Sequence, residues 1–428
     1  MSFKPLTITV LSDVHHYSIK SGTGGKAYDA ANAKSQKLLS ESGDVLRATF
    51  DKIASDKSND IVLVSGDITN NGELTAHEEI IEMFNDLKAK GKRVYVITAT
   101  HDFRDNGVTD AYDGDNKITT PTATRAMLYD MYRSFGPDEA IAVHRDSMSY
   151  VVQLCEGYRL FALNDDRNLS GKSGFSDECF EWITNQAEDA RKNNQVIIAM
   201  THHPLIAPSP IYELIGKGDM LGDYDKRLYQ LADIGVQFIF TGHTHIHDIS
   251  FDQSERKNTI YDICTASPVG YPGAYRKVTF EPDKNFVDVT TEFVPAPDSI
   301  KKSGRDIKDV FENQLRMTSK KWEEGMKLLG EEGELSDISY ISYSLFRASY
   351  NQVKFVRLRD EYLADNNAET AKALVEVIKE EKAVAEKVYE IMCRRPEVGF
   401  EAANHYYYSK GMIAEKIINC NWLIEYYS

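Results

Sequence analysis

Leu6-Thr7-Ile8-Thr9-Val10-Leu11-Ser12-Asp13-Val14-His15 stands near the start of the chain, and the same syntax recurs at Ile61-Val62-Leu63-Val64-Ser65-Gly66-Asp67. In both, a short apolar run rich in β-branched residues ends in an acidic or imidazole side chain. Such runs read as buried strands, and in open α/β sheets ligands gather where strands end. Working outward, residues 196–199 lead to His202-His203-Pro204, and residues 236–240 lead to Gly242-His243-Thr244-His245. A fifth segment, His101-Asp102, follows the strand-like run 94–97. Each segment alone is weak, because motif matches outside their context are hypotheses. A shared strand-end address for all five predicts one site.

The intervening sequence predicts how that site is framed. Residues 45–55 carry Val45, Leu46, Ala48, Phe50 and Ile53, and residues 77–89 carry Ile80, Ile81, Phe84 and Leu87 at helical spacing, with Gly91 as a stop signal. Strand–helix alternation predicts largely parallel strands covered by helices. Ser21-Gly22-Thr23-Gly24-Gly25-Lys26 fails the phosphate-loop pattern, whose first Gly would fall on Lys20 and whose last position on Ala27, so it reads as a flexible rim loop. Residues 106–142 form an insertion that starts loop-like and turns helical near 126–135. Strand pairs follow: 149–154 with 158–163 around Glu156-Gly157, then 258–265 and 275–294, the latter turning at Pro282-Asp283. Hairpins added to a parallel core predict an α/β fold of two packed sheets flanked by helices.

Pro295-Ala296-Pro297-Asp298 punctuates the end of that unit. Beyond it, residues 306–329, 336–364, 368–394 and 400–427 are long, proline-poor and periodic, and read as four helices. The expected domains are therefore 1–297 and an all-helical 298–428. Tyr406 to Tyr408, Tyr426 and Tyr427 read as helix-packing material, with a base-stacking surface as the alternative. Together with the loop 205–225, this domain is expected to supply substrate contacts.

Composition bounds the chemistry. At 428 residues, 42% hydrophobic and 27% charged, the chain is globular and large enough for two or three units. A net charge of −16 argues against nonspecific binding to nucleic acid or anionic membrane, which relies on Lys and Arg. No apolar stretch approaches the roughly 20 residues of a membrane span. With Met1 a few residues before the first strand and five cysteines (Cys155, Cys179, Cys264, Cys393, Cys420) lacking metal spacing, a cytoplasmic location with reduced thiols is expected.

Carboxylates and neutral imidazoles suit borderline divalent metals such as Mn, Fe, Co and Zn, and the segments contain no cysteine. In extended geometry Asp13 and His15, two apart, leave the same face and reach one ion; Asp67 has two oxygens with which to bridge two. His243 and His245 are also two apart, but a turn could send them to different ions. Two ions about 3.5 to 4 Å apart lower the pKa of a bridging water, clamp a phosphoryl oxygen and align in-line attack. The nucleophile is then metal hydroxide, and the expected substrate is a small-molecule phosphate ester.

The order D-x-H, G-D, H-D, H and G-H-x-H resembles the calcineurin-like metallophosphoesterase superfamily. Gly66-Asp67-Ile68-Thr69-Asn70-Asn71-Gly72-Glu73, with His77 and Glu78 beyond, is similar to its bacterial cyclic-nucleotide phosphodiesterase branch. The resemblance spans about residues 6–294 and implies a four-layer α/β/β/α sandwich. It also implies that one metal takes Asp13, His15, Asp67 and His245, and a second takes Asp67, His202, His243 and the residue at the family's Asn position. His101 is similar to the family histidine that protonates or hydrogen-bonds the leaving oxygen, and Asp102 is expected to orient that imidazole and keep it cationic. Asn70, Arg104 and His203 are the candidate substrate contacts; His203 is expected beside the ligands without being one, and His16 and His247 are expected to be incidental. The departure is Ala99-Thr100 where the family has Gly-Asn: a Thr hydroxyl is a short, poor ligand, so a weak second metal is expected. A phosphodiesterase is the leading expectation. Its alternatives are a phosphomonoesterase or nucleotidase, and a regulatory phosphate-binding protein whose rate was lost through Thr100.

Overall fold

Four of the strand runs that lead to Asp and His lie inside two sheets, and the fifth, leading to His101-Asp102, forms the edge of one of them. The computed structural model describes residues 4–428 except 167–171, 209–211, 213–216, 285, 330–332, 397–399, 402–405 and 408. In chain order the strands are β1 (Leu6–Leu11), β2 (Ile61–Ser65), β3 (Arg93–Ile97), β4 (Val108–Asp113), β5 (Asn116–Pro121), β6 (Ala142–His144), β7 (Ser149–Cys155), β8 (Tyr158–Ala162), β9 (Val196–Met200), β10 (Val236–Thr241), β11 (Asp248–Gln253), β12 (Thr259–Cys264), β13 (Ala274–Glu281) and β14 (Phe286–Phe293). One sheet has the order β14-β13-β1-β2-β3 and the other β11-β12-β10-β9-β8-β7-β6. β1, β2 and β3 are parallel, as are β8, β9, β10 and β12, while β13, β14, β11, β7 and β6 add antiparallel edges.

The inner faces of both sheets close on each other. Ile8, Val10, Ile61 and Leu63 from one meet Leu160, Ile198, Met200 and Phe240 from the other, all excluded from solvent. Each such side chain contributes roughly 1.5–3 kcal/mol by leaving water. The second sheet's outer face, with Phe161, Ala199 and Ile239, packs on Ile183 and Ala187 of the helix Asp177–Lys192 and Leu228 and Leu231 of the helix Tyr224–Asp233. Val45, Phe50 and Ile53 of the helix Ser42–Ser55 and Ile80, Phe84 and Leu87 of the helix Leu74–Ala89 are buried, with the Phe50 and Phe84 rings 5.7 Å apart. The layers are therefore α/β/β/α.

The chain divides into two compact units. The sandwich comprises Met1–Ala30, Lys37–Pro208 and Gly216–Ser303; the other unit comprises Ala31–Gln36, Ser209–Ile215 and Gly304–Ser428. The helices Ile307–Leu329, Glu334–Asp365, Ala368–Arg394 and Lys410–Tyr427 belong to the latter, around a core that includes Ile341, Val388, Ile391 and Ile413. Among the described residues, no helix is long and apolar enough to cross a membrane.

Four local expectations need correction. The loop-like start of the 106–142 insertion is the β4–β5 hairpin, turning through Gly114-Asp115; its strands are mostly polar and exposed, so they lack the apolar alternation that marks a half-buried strand. β11 was missed for a different reason: Ile249 and Phe251 do alternate with Asp248, Ser250 and Asp252, but two apolar residues are a short signal, and both face outward at a sheet edge. The last helix begins only at Lys410, where the Ser409 hydroxyl accepts from the Met412 amide, whereas Phe400–Glu401 pairs with Tyr406–Tyr407 as strands. The glycine-rich stretch 21–26 leads from the 3-10 turn Ile19–Ser21 into the helix Gly25–Asn32. Tyr408 and, within the loop 205–225, residues 209–211 and 213–216 lie outside the described residues.

Candidate metal centre

Backbone hydrogen bonds lace the strand-end loops together: the Asp13 amide donates to the Gly66 carbonyl, His15 to Asp67, and Gly242 to His202. The Ser267 hydroxyl holds the Asp13 carbonyl at 2.7 Å, and the His243 amide donates to Asp13 Oδ2 at 2.9 Å. Two glycines permit this closeness. A Cβ on Gly66 would come within 2.6 Å of His202 Nδ1, and one on Gly242 within 1.7 Å of Ser12 Oγ.

Asp13, His15, Asp67, His243 and His245 all have φ between +42° and +64°. These left-handed turns, not the strand pleat, aim the side chains, which corrects the expectation that Asp13 and His15 share a face in extended geometry. Left-handed backbone disfavours residues with a Cβ and concentrates at functional sites.

Three donor clusters result: Asp13 with His15 and His245, His15 with Asp67 and His101, and Asp67 with His202 and His243, each with ligand atoms within 4.8 Å of one another. His15 and Asp67 each belong to two clusters, so the three are contiguous. His245 Nε2 lies 3.2 Å from Asp13 Oδ1 and 3.0 Å from His15 Nε2, while His202 Nε2 lies 3.3 Å from Asp67 Oδ2. Asp13 Oδ1 is buried with no hydrogen-bond donor. A buried carboxylate oxygen without a donor, surrounded by imidazole nitrogens, is a donor set that a divalent cation satisfies. The residues therefore fit metal ions.

Without ions the charges settle among themselves. Burial pushes the Asp67 carboxyl up, but His202 and His101 outweigh it and hold it well below the usual range. Burial likewise lowers His202, yet Asp67 raises it well above an ordinary histidine.

The remaining candidates are placed as follows. The His101 amide donates to Asp67 Oδ1 at 2.9 Å, and its ring meets His15 edge-on at 4.7 Å. His101 Nδ1 lies 2.6 Å from the Asn70 carbonyl, so Nδ1–H donates there and Nε2 is left toward the cluster. Asp102 does not touch that imidazole: Oδ1 accepts from the Ile68 and Thr69 amides, both at 2.8 Å, and Oδ2 from the Ala99 amide. The expectation that Asp102 orients His101 and keeps it cationic is corrected, because in the turn Thr100–Asp102 sequence neighbours point apart and burial lowers His101 to about 4. Asn70 contributes its carbonyl to His101, and Arg104 is fixed by the carbonyls of Thr100 and Phe103 and by Asn71 Oδ1 at 2.6 Å. Thr100 opens the turn that carries His101. His203 packs on the His243 ring at 4.3 Å. His16 pairs with Glu79, and His247 with Thr291.

Two residues escaped the sequence reading. Asp165 is fully buried and accepts from the amides of His202 (3.2 Å) and His203 (3.1 Å), and its Oδ2 takes His203 Nδ1–H at 2.8 Å. Its signal was present, since Asn164-Asp165-Asp166 follows β8 just as Asp13 follows β1. Lys37 brings Nζ to 3.1 Å from His15 Nδ1, and burial lowers its ammonium to about 8 although Asp67 and Asp13 pull it back. No motif flagged it.

Comparison with known proteins gives three findings. Residues 6–247 match the calcineurin-like phosphoesterase family. Similar solved structures include a dimetal phosphatase from Danio rerio (12% identity, TM-score 0.47, covering 67% of this chain and 95% of that one) and the NAD nucleotidase of Haemophilus influenzae (13%, 0.38, 68% and 50%). No curated protein matches the sequence.

Proposed function

Because the chain belongs to the calcineurin-like phosphoesterase family, we propose that it is a metal-dependent phosphodiesterase with cyclic nucleotides as the candidate substrate class. The observation that carries hydrolysis is the contiguous row of clusters joined through Asp67 and His15. The finer diesterase reading is supported by the stretch Gly66 to Glu73 and by His101. Asp13, His15, Asp67 and His245 would hold one ion, and Asp67, His202 and His243, with Thr100 as a weak fourth donor, the other. When bound, a pair of divalent ions activates water for attack on phosphorus and offsets the charge that develops on the phosphate oxygens.

The chain's own groups do the rest. His202 Nδ1 donates to the Ser65 carbonyl at 2.8 Å, which keeps that proton on Nδ1 and makes Nε2, facing Asp67, the nitrogen that would give its lone pair to an ion. Asp67 Oδ1, engaged by the His101 amide, leaves Oδ2 between His15 and His202, at 3.7 and 3.3 Å. His101, with Nδ1–H on the Asn70 carbonyl, presents an unprotonated Nε2 toward the leaving oxygen, so it would take up the proton released by the attacking water and hand that proton to the alkoxide. Arg104 and His203 flank the phosphate. A cytoplasmic setting belongs to the same proposal, supported by five cysteines that stand as separate thiols.

Turnover with added Mn²⁺ tests it: bis-p-nitrophenyl phosphate is expected to be cleaved faster than p-nitrophenyl phosphate, and the reverse order would make the protein a monoesterase. His101→Ala is expected to lose about 10²- to 10⁴-fold on a cyclic nucleotide, whose alkoxide needs a proton. It should lose far less on p-nitrophenyl esters; equal losses would overturn the role given to His101.

A further inference from the structure

Lys37 is built into the wall of the centre. It bridges Gly270 in antiparallel fashion, and the adjacent Leu38 amide donates to the Val269 carbonyl at 2.8 Å. The same segment reaches Asp13 through the Ser267 hydroxyl. Nζ therefore arrives from a fixed backbone.

What it meets there is unusual for a metal ligand. His15 Nε2 faces Asp13 Oδ1 at 3.5 Å and Asp67 Oδ2 at 3.7 Å, so Nε2 is the ligating nitrogen and Nδ1 faces Lys37. Once Nε2 gives its lone pair to an ion, the ring proton sits on Nδ1. Metal-bound histidines normally hand that N–H to a carboxylate, carbonyl or water. An ammonium offers three donors and no acceptor. Two donors 3.1 Å apart repel, and the flexible four-carbon stem is the part that yields. The groups whose fields act on Nζ include the carboxylates of Asp67, Asp13 and Glu73 and the guanidinium of Arg104. A phosphate lying against the ions brings oxygen acceptors to this place.

We propose that Lys37 is a substrate contact whose ammonium holds a phosphate oxygen beside the Asp13–His15–His245 cluster, turning from His15 when the centre is loaded. This rests on the hydrolase reading above.

The test uses the full chain loaded with Mn²⁺ and inorganic phosphate as the probe, with both bindings followed by calorimetry. Lys37→Met keeps the length and removes the charge. It is expected to weaken phosphate binding about 10- to 100-fold, the usual loss for a charge-assisted hydrogen bond. Mn²⁺ binding should be unchanged or tighter, because a positive charge leaves the neighbourhood of His15. Lys37→Arg should restore most of the phosphate affinity. Unchanged phosphate binding in Lys37→Met overturns the assignment. So does weaker Mn²⁺ binding, which would make Lys37 a support for the His15 ring. Failure of the unmodified, Mn²⁺-loaded protein both to bind phosphate and to cleave any ester would overturn the hydrolase reading, and the assignment with it.

Discussion

Asp165 holds two neighbouring backbone amides and one imidazole with a single carboxylate, and so governs how the His202-His203 turn is presented. Partners one step removed from a metal are typically worth 10- to 100-fold in affinity. Asp165→Ala is expected to weaken the binding of the second Mn²⁺ by about that factor in a calorimetric titration, with Asp165→Asn intermediate because an amide accepts through one oxygen only. Two Mn²⁺ affinities equal to those of the unmodified protein would show that Pro204 and the flanking strands suffice. At this scale, residue type and position after a strand made the Asp and His donors legible. Side-chain direction was not: Asp102 is expected to orient His101 as a carboxylate commonly orients a catalytic imidazole, yet its carboxylate gathers the Ile68, Thr69 and Ala99 amides. A buried aspartate serving backbone amides and one serving an imidazole look alike in sequence.

Elements meet at the centre through contacts that tolerate little change. Between β10 and His243 the chain passes Gly242, whose added Cβ would lie 1.7 Å from Ser12 Oγ and 2.4 Å from Asp13 Oδ2. Gly242→Ala is expected to push the two loops apart, lowering stability by about 1–3 kcal/mol in a denaturant titration and abolishing Mn²⁺ binding; a variant that keeps both affinities would disprove the close approach. Glu79, on the helix Leu74–Ala89, ties that helix to the loop after β1 through His16 at 2.8 Å, Ser18 at 3.0 Å and Lys20 at 3.2 Å. The His16 hydrogen bond, followed by those of Lys20 and Ser18, lowers its carboxyl from 4.5 to about 2 despite burial. The tie is thus fully present above pH 4.5 and lost as pH falls through 2. Glu79→Gln should cost about 1–2 kcal/mol near neutrality and flatten the acid limb of stability over that window. An unaltered acid limb would remove Glu79 from the account.

For the whole molecule, ion binding and folding are linked, because the donors come from five loops that only the native sheets bring together. Saturating Mn²⁺ at about 100 times its dissociation constant adds about 2.7 kcal/mol, which in a unit of this size should raise the melting temperature by about 3 to 5 °C. Chelation should reverse the rise, and Asp67→Ala, which lacks one of the two donors shared between clusters, should show little of it; a full rise in that variant would refute Asp67 as a joining ligand. The sandwich was legible because β1, β2, β9 and β10 are buried through their inner residues and announce themselves as apolar runs. The β4–β5 hairpin was not, since an exposed strand needs no apolar face, and β11 offered only Ile249 and Phe251. Lys37 was hidden because its loop carries no periodic signal and its partner, His15, is 22 positions away. The left-handed turns at Asp13, His15, Asp67, His243 and His245 also bear on engineering. Grafting the same side chains onto regular strand ends of another scaffold would leave the donors pointing along the pleat. A transplant would have to carry the five backbone turns, with Gly66 and Gly242, as one piece.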